Sequence, residues 1–372
     1  MKLENNNART KTGNSSKARV GMLLAGVWLA VGLTGCSSAV IKAAPSERPT
    51  SGVTVVSPAG KIVYRQYLNE DNSSAAIFVM NSDGTDKVQL TRPAKDEIDE
   101  NPDWSPDGSQ IIFNRHLGEG TSTESHQLVI MATNGSGQRA LTPGEPLSSS
   151  SGAAFDDSGS FSPDGTEIAY VHAGGSVNGN GELEHSNIYV MDLDGKNARP
   201  ITDLPAYGGD CDGPHWSADG KQLVYSFFDA NQPKLTADRA LFIVNADGSG
   251  TRQLTDWSLD ASGVPDWSAS TNLIAFRSVP NEESGVGNFF TIRPDGSDLT
   301  KVTGFADTNI GHKVSFSPDG KSIVFGFEND GVVEVATAPL PDPVTKVILG
   351  SAVRILTTSS NASSAADWSP VS

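Results

Sequence analysis

The stretch Trp104-Ser105-Pro106-Asp107-Gly108 decides the fold, because it returns. Phe161-Ser162-Pro163-Asp164-Gly165, Trp216-Ser217-Ala218-Asp219-Gly220 and Phe316-Ser317-Pro318-Asp319-Gly320 repeat it over all five places, with Phe for Trp in two and Ala for Pro in one, and Trp267-Ser268-Ala269 and Trp368-Ser369-Pro370 repeat its first half. The aromatic recurs every 49 to 57 residues. That period suits a four-stranded propeller blade. Proline, with φ already fixed, fits the second place of a type I turn. Glycine fits the fourth, where a left-handed conformation lets the next strand begin. The aromatic ahead of the turn is placed to pack between sheets.

Working outward, a short β-rich run follows each motif but the last: Gln110–Arg115, Glu167–His172, Gln222–Phe227, Leu273–Ser278 and Ser322–Phe327. Lys61–Gln66 is a sixth such run, behind the weakened turn Ser57-Pro58-Ala59-Gly60. A third strand then ends in a hairpin at Asp83-Gly84, Asn134-Gly135, Asp194-Gly195, Asp247-Gly248 and Asp295-Gly296, dipeptides that supply positive φ. In the sixth repeat Pro339–Pro343 stands in that place. A fourth strand closes on a hydrophobe and Thr, as in Leu90-Thr91, Leu141-Thr142, Ile201-Thr202, Leu254-Thr255, Val302-Thr303 and Leu356-Thr357. The Trp368 motif has no strand after it, and the Lys61 run has no aromatic before it, so the C-terminal strand is expected to complete the N-terminal blade. Such closure removes exposed sheet edges. Val53–Val56 competes for the same innermost slot.

These repeats resemble the TolB-like six-bladed propeller family over residues 53–372. The expected fold class is therefore all-β: a six-bladed β-propeller of four-stranded antiparallel blades, closed by pairing of the N- and C-terminal strands. TolB proper carries a smaller α/β domain ahead of its propeller, for which this chain has no room. The resemblance therefore implies the propeller alone.

The chain has 372 residues, 27 Lys+Arg against 44 Asp+Glu and a formal net charge of -17. With 37% hydrophobic and 19% charged residues it can bury a sizeable core. The acidic balance argues against a nucleic-acid partner, whose phosphates need a basic patch. Two Cys cannot make a disulfide scaffold. At the N-terminus, Lys2, Arg9, Lys11, Lys17 and Arg19 precede the apolar run Val20–Leu33, too short to span a bilayer and suited to a secretory signal. The run ends in Leu33-Thr34-Gly35-Cys36, which resembles a bacterial lipobox. That resemblance implies a signal peptide over 1–35, a lipidated Cys36 and a membrane anchor. It makes the protein a periplasmic or outer-surface lipoprotein, with a mature net charge of about -21. Ser37 rather than Asp follows the Cys, which favours the outer membrane where a cell has two. Residues 36–52 read as the lipidated Cys and a flexible tether. Cys211 is then the remaining thiol and reads as a small residue in a packed loop.

In a propeller the short Asp-Gly turns share one face and the long, variable connections share the other. The connections 116–126, 173–186, 229–238 and 279–287 belong to the second face, where function is expected. Five and four places before the aromatic stand Asp99-Glu100, Asp156-Asp157, Cys211-Asp212, Ser262-Gly263, Gly311-His312 and Ser363-Ser364, with Asp210 and Asp260 close by. These positions should ring a channel mouth. Asp99, Glu100, Asp156, Asp157, Asp210, Asp212 and His312 are the candidate ligand-binding residues: an acidic half-ring for a cation or basic peptide, with a neutral opposite side. The six His gather toward this face, His116 and His126 flanking one connection. His172, His185 and His215 are weak metal candidates, because no compact His spacing occurs. Asp192–Gly195 resembles the start of a calcium loop but lacks the downstream Glu and reads as a hairpin.

No G-x-S-x-G elbow occurs. The expected function is a non-catalytic, monomeric envelope module that binds a protein, peptide or glycan. No cofactor is expected, a divalent cation being the one exception the residues allow. The alternative is a metal-dependent lyase of the oligogalacturonate type, with His172, His185, His215 and His312 as ligands or base. An acidic channel counts against that anionic substrate.

Overall fold

The computed structural model describes residues 60–118, 124–144, 155–173, 186–204, 209–229, 239–279, 286–340, 347–348 and 350–370. The signal segment, Cys36, the tether, Val53–Val56, His185 and most of the four long connections lie outside the described residues. The strands fall into six units of four. β1 (Lys61–Tyr67), β2 (Ala75–Asn81) and β3 (Val88–Gln89) come first. β4 (Glu97–Trp104), β5 (Gln110–Leu117), β6 (Ser125–Ala132) and β7 (Arg139–Ala140) follow. Next are β8 (Phe155–Phe161), β9 (Glu167–Ala173), β10 (Ser186–Asp192) and β11 (Arg199–Pro200). β12 (Asp210–Trp216), β13 (Gln222–Phe228), β14 (Arg239–Asn245) and β15 (Arg252–Gln253) make the fourth unit. β16 (Ala261–Trp267), β17 (Ile274–Ser278), β18 (Asn288–Ile292) and β19 (Thr300–Lys301) make the fifth. β20 (Ile310–Phe316), β21 (Ser322–Asn329), β22 (Val332–Pro339) and β23 (Arg354–Ile355) make the sixth. β24 (Ser363–Trp368) returns to pair antiparallel with β1, completing the first unit as the sequence predicts.

Single parallel bridges, Ala75 to Ile98, His126 to Phe155 and Val264 to Lys313, join some units. The backbone ladders therefore divide into sheets of twelve, four and eight strands rather than six separate ones. Among the described residues only one further bridge, Thr303 to Ile348 between the fifth and sixth units, adds to these, so side chains carry most of each seam.

Six apolar clusters fill those seams, and each holds one motif aromatic: Trp104, Phe161, Trp216, Trp267, Phe316 or Trp368. The Trp368 cluster packs Ile62 and Tyr64 of β1 against Val324 of β21 and Val335 of β22, so apolar contact runs from the sixth unit back to the first. Truncating one such Trp to Ala costs about 3–5 kcal/mol.

The side chain just before five of the six aromatics supplies a second seam, and at Ser160 the backbone carbonyl instead accepts the Trp216 indole N–H at 3.3 Å. Asp103 Oδ2 accepts the Phe161 N–H at 3.2 Å, and His215 Nδ1 accepts the Trp267 N–H at 3.3 Å. Asp266 Oδ2 accepts the Phe316 N–H at 2.6 Å, and Ser315 Oγ the Trp368 N–H at 3.2 Å. Asp367 Oδ2 accepts the Trp104 N–H at 3.1 Å. A buried N–H stripped of its acceptor costs about 1–3 kcal/mol, so this position holds successive inner strands in register.

The predicted turns form. Ser105 Oγ donates to Asp107 Oδ1 at 2.7 Å, the Gly108 N–H donates to the Ser105 carbonyl at 2.8 Å, and Gly108 has φ +69°. Asp194 and Gly195 close a hairpin, as expected, with Gly195 at φ +85°. Gly135 has φ +82°, and a Cβ there would meet the Leu90 carbonyl of the preceding unit at 2.5 Å. The six closing Thr act alike: Thr142 Oγ1, for example, accepts the Leu128 N–H of the third strand at 3.0 Å.

Candidate functional site

A narrow cavity is lined by residues of all six inner strands, among them Asp103, Ser160, His215, Asp266, Lys313 and Asp367. Lys313 is buried and donates across it to the Pro102 carbonyl at 2.6 Å. Burial and the facing Asp367 push the Asp103 carboxyl up to about 7.

Just above the cavity each inner strand breaks register against its neighbour. The shifts fall between Glu100 and Asp103, Asp157 and Ser160, Asp212 and His215, Ser262 and Asp266, and Ile310 and Val314. Asn101, Ser158, Gly213 and Ala365, each three places before an aromatic, have φ of +48°, +53°, +57° and +50°. These are β-bulges, which re-aim the side chains beside them.

The bulge divides the predicted acidic ring into two rows. The row five places before the aromatic turns onto the second strand. Asp99 is fully buried and takes a two-pronged ion pair from Arg115, at 2.7 and 2.9 Å. Asp156 is buried and meets His172 Nδ1 at 2.7 Å. Cys211 belongs to this row. It lies in β12 rather than in a loop, packed among Trp216, Leu223 and Tyr225, and burial pushes its thiol up. The larger neighbours of the strand, not a loop, enclose it.

The row four places before the aromatic meets over the cavity. Asp157 lies 3.4 Å from Asn101 Nδ2 and also takes the Asn114 side-chain amide. Ser158 Oγ donates to Asp212 Oδ1 at 3.2 Å. His312 Nε2 is 3.4 Å from Asn101 Oδ1, two inner strands away. Glu100 is paired with Arg65, which also reaches Ser364 Oγ. Burial alone would raise the Glu100 carboxyl, but His116 and Arg65 hold it below its ordinary value. The imidazoles of His116 and His126 likewise hold Asp157 well below its own, against burial. Asp212 reaches solvent, yet the protein around it and the Asp157 charge push its carboxyl up to about 6. His312 also reaches solvent, yet the protein around it and the Arg65 charge push it down to about 4.

The side facing the carboxylates is not neutral, because Arg65 and Arg277 stand there, the latter donating to Ser262 Oγ at 3.2 Å. The described metal candidates do not converge: His172 goes to Asp156, His215 to Asp266 at 3.1 Å and His312 to Asn101. Asp210 starts β12, its backbone opposite Phe228. What the sequence reading missed is His116 beside His126. Both are buried, not surface strand ends, and their rings stack at 3.7 Å within 2° of parallel, next to Asp157. The signal was available: the hairpin of β5 and β6 sets the two His opposite each other.

The family profile described as TolB beta propeller domain matches residues 158–371. Dipeptidyl-peptidase 5 of Porphyromonas endodontalis is 36% identical over 112 residues, 29% of this chain and 15% of that protein. TolB from Acinetobacter baumannii superposes with a TM-score of 0.61 at 16% identity, over 83% of this chain and 66% of that one. Hydrazine synthase of Kuenenia stuttgartiensis also gives 0.61, at 14% identity, over 84% of this chain and 47% of that one. The chain thus spans less than two thirds of each of these proteins. At these identities the structural likenesses carry the fold alone.

Proposed function

The chain belongs to the TolB beta-propeller family, and on that premise we propose that it is a non-catalytic binding module held at a bacterial membrane by a lipid on Cys36. In this reading the six units close into a six-bladed propeller. The seam formed by Trp368 and the pairing of β24 with β1 support that closure. Residues 1–35 are the signal peptide and 36–52 the tether. The domain works as a monomer on the periplasmic or outer-surface side, and its partner is an envelope protein, peptide or glycan.

The observation that carries the reading is the second carboxylate row. Among the described residues, no Lys or Arg forms an ion pair with Asp157 or Asp212. Both sit on rigid strands above the cavity, where like charges focus attraction for a cationic group. The partner therefore presents a Lys or Arg side chain, or an amine, to this pair, while Arg65 and Arg277 on the facing side take an acceptor. The lyase alternative draws less support, since His172, His215 and His312 each have a separate partner.

The test is photo-crosslinking from native envelope fractions, with the probe placed beside Asp212. A specific adduct that weakens as salt rises is the expected result. Adducts independent of salt and of Asp157 and Asp212 would sink the reading. For attachment, Cys36→Ser should move the protein from the membrane to the soluble fraction. Unchanged membrane recovery would refute the lipid anchor.

A further inference from the structure

We infer that His116, His126 and Asp157 form a binding site for one divalent transition-metal ion of the zinc class. The site takes Asp157 from the mouth pair, so with the ion bound Asp212 is the carboxylate left to meet a cationic partner.

His116 is the last residue but one of β5, His126 the second of β6, and Asp157 comes from β8 of the next unit. His116 Nε2 and His126 Nδ1 each lie 3.7 Å from the same oxygen, Asp157 Oδ2. One ligand atom from each of the three falls within 4.8 Å of the others. A separation of 3.7 Å is too long for a hydrogen bond. It is close to the roughly 3.3 Å edge of a tetrahedron of ligands with metal bonds near 2.0 Å. Glu100 Oε1, 3.2 Å from His116 Nε2, is placed to be a fourth ligand.

The second observation is the state of His126. Its side chain is fully buried, yet neither ring nitrogen has a hydrogen-bond partner. Buried polar groups left in that condition are rare and destabilising. A metal on Nδ1 satisfies one nitrogen and lets Nε2 donate to Glu124 Oε1, 3.5 Å away. A carboxylate behind a ligating His is the usual way its tautomer is set. Two imidazoles and a carboxylate suit zinc, cobalt or nickel rather than calcium or magnesium, which take oxygen ligands.

The chemistry makes one structural demand. Nitrogen lone pairs lie in the ring plane, and the two rings are parallel. Metal binding must therefore splay the stack. The ion would tie β8 to the β5–β6 hairpin and fix Asp157 at the mouth.

The test titrates the full chain, stripped of metal with a chelator, with Zn²⁺ and Co²⁺. One equivalent is expected to bind. Cobalt should give the intense visible absorption of a site with few ligands, and ring ¹⁵N signals of His116 and His126 should move in the wild type. His126→Gln, which keeps most of the volume, should weaken binding by at least a hundredfold, and so should His116→Gln. His172→Gln should change it less than threefold. Comparable melting temperatures of the metal-free variants will show that they fold, and the ¹⁵N shifts need no variant. Binding that survives both His changes, or saturating zinc that leaves both ring signals in place, would overturn the site.

Discussion

Asp99 and Asp157 occupy inner strands of neighbouring units, one place apart in the repeat, and they do opposite work. Asp99 is fully buried and tied by two hydrogen bonds to Arg115, so its charge is used inside the blade. Asp157 has no cationic Lys or Arg partner among the described residues and lies beside Asp212 of the next unit, with Ser158 bonded to both. The difference comes from the β-bulge and not from residue type. A strand turns successive side chains to opposite faces, and the bulge fixes which face the residue four places ahead of the aromatic takes. Charge on a propeller strand is thus divided by position into charge that holds the fold and charge left for a ligand.

The comparison can be broken at its structural half. Asp99→Ala leaves the Arg115 guanidinium without its partner in a largely buried place. That should cost about 3–5 kcal/mol in chemical denaturation. A loss under about 0.5 kcal/mol, the scale of ordinary surface changes, would place Asp99 with the mouth. Ser315→Ala tests the seam where β24 docks. The Trp368 N–H loses its acceptor, and a cost of about 1–3 kcal/mol is expected. No cost would mean that the inner-strand bonds do not hold the ends together.

The mouth half is sharpened by pH. Asp212 titrates at about 6 in the fold, above its ordinary 3.8. The folded state therefore takes up this proton before the unfolded chain does. Its ionisation counts against stability as pH rises from about 4 to 6, and that penalty is relieved as pH falls. Binding has the opposite sign, because a cationic partner needs the charged form. Capture should weaken severalfold as pH drops through about 6, and Asp212→Asn should flatten that part of the profile. A profile shared by wild type and variant would remove Asp212 from the site.

The repeat was legible because each of its residues does one local job that composition reveals. Trp or Phe fills a seam, Pro and Gly make the turn, and Thr accepts a backbone N–H. The mouth was legible as a cluster of carboxylates but not as two rows. The bulge residue is Asn101, Ser158, Gly213 or Ala365, and only glycine among them announces a positive φ. Ala365 gives no hint at all. The residue ahead of the aromatic was equally quiet, because Asp, Ser and His all serve as its acceptor. Arg65 and Arg277 were missed since they sit on second strands, far in sequence from the carboxylates they face. In sequence His116 and His126 flank a connection, and it is the register of the β5–β6 hairpin that sets them opposite each other.

The most direct measurement compares two double variants in the same crosslinking capture, each with its melting temperature. Asp157→Asn with Asp212→Asn should cut capture at least tenfold, about 1.4 kcal/mol, and lower the melting temperature less than the second pair does. Asp99→Asn with Asp156→Asn should lower the melting temperature sharply, while the protein still folded captures its partner. Full capture by the first pair, or a loss of fold in it equal to the second, would contradict the division of charge between fold and mouth.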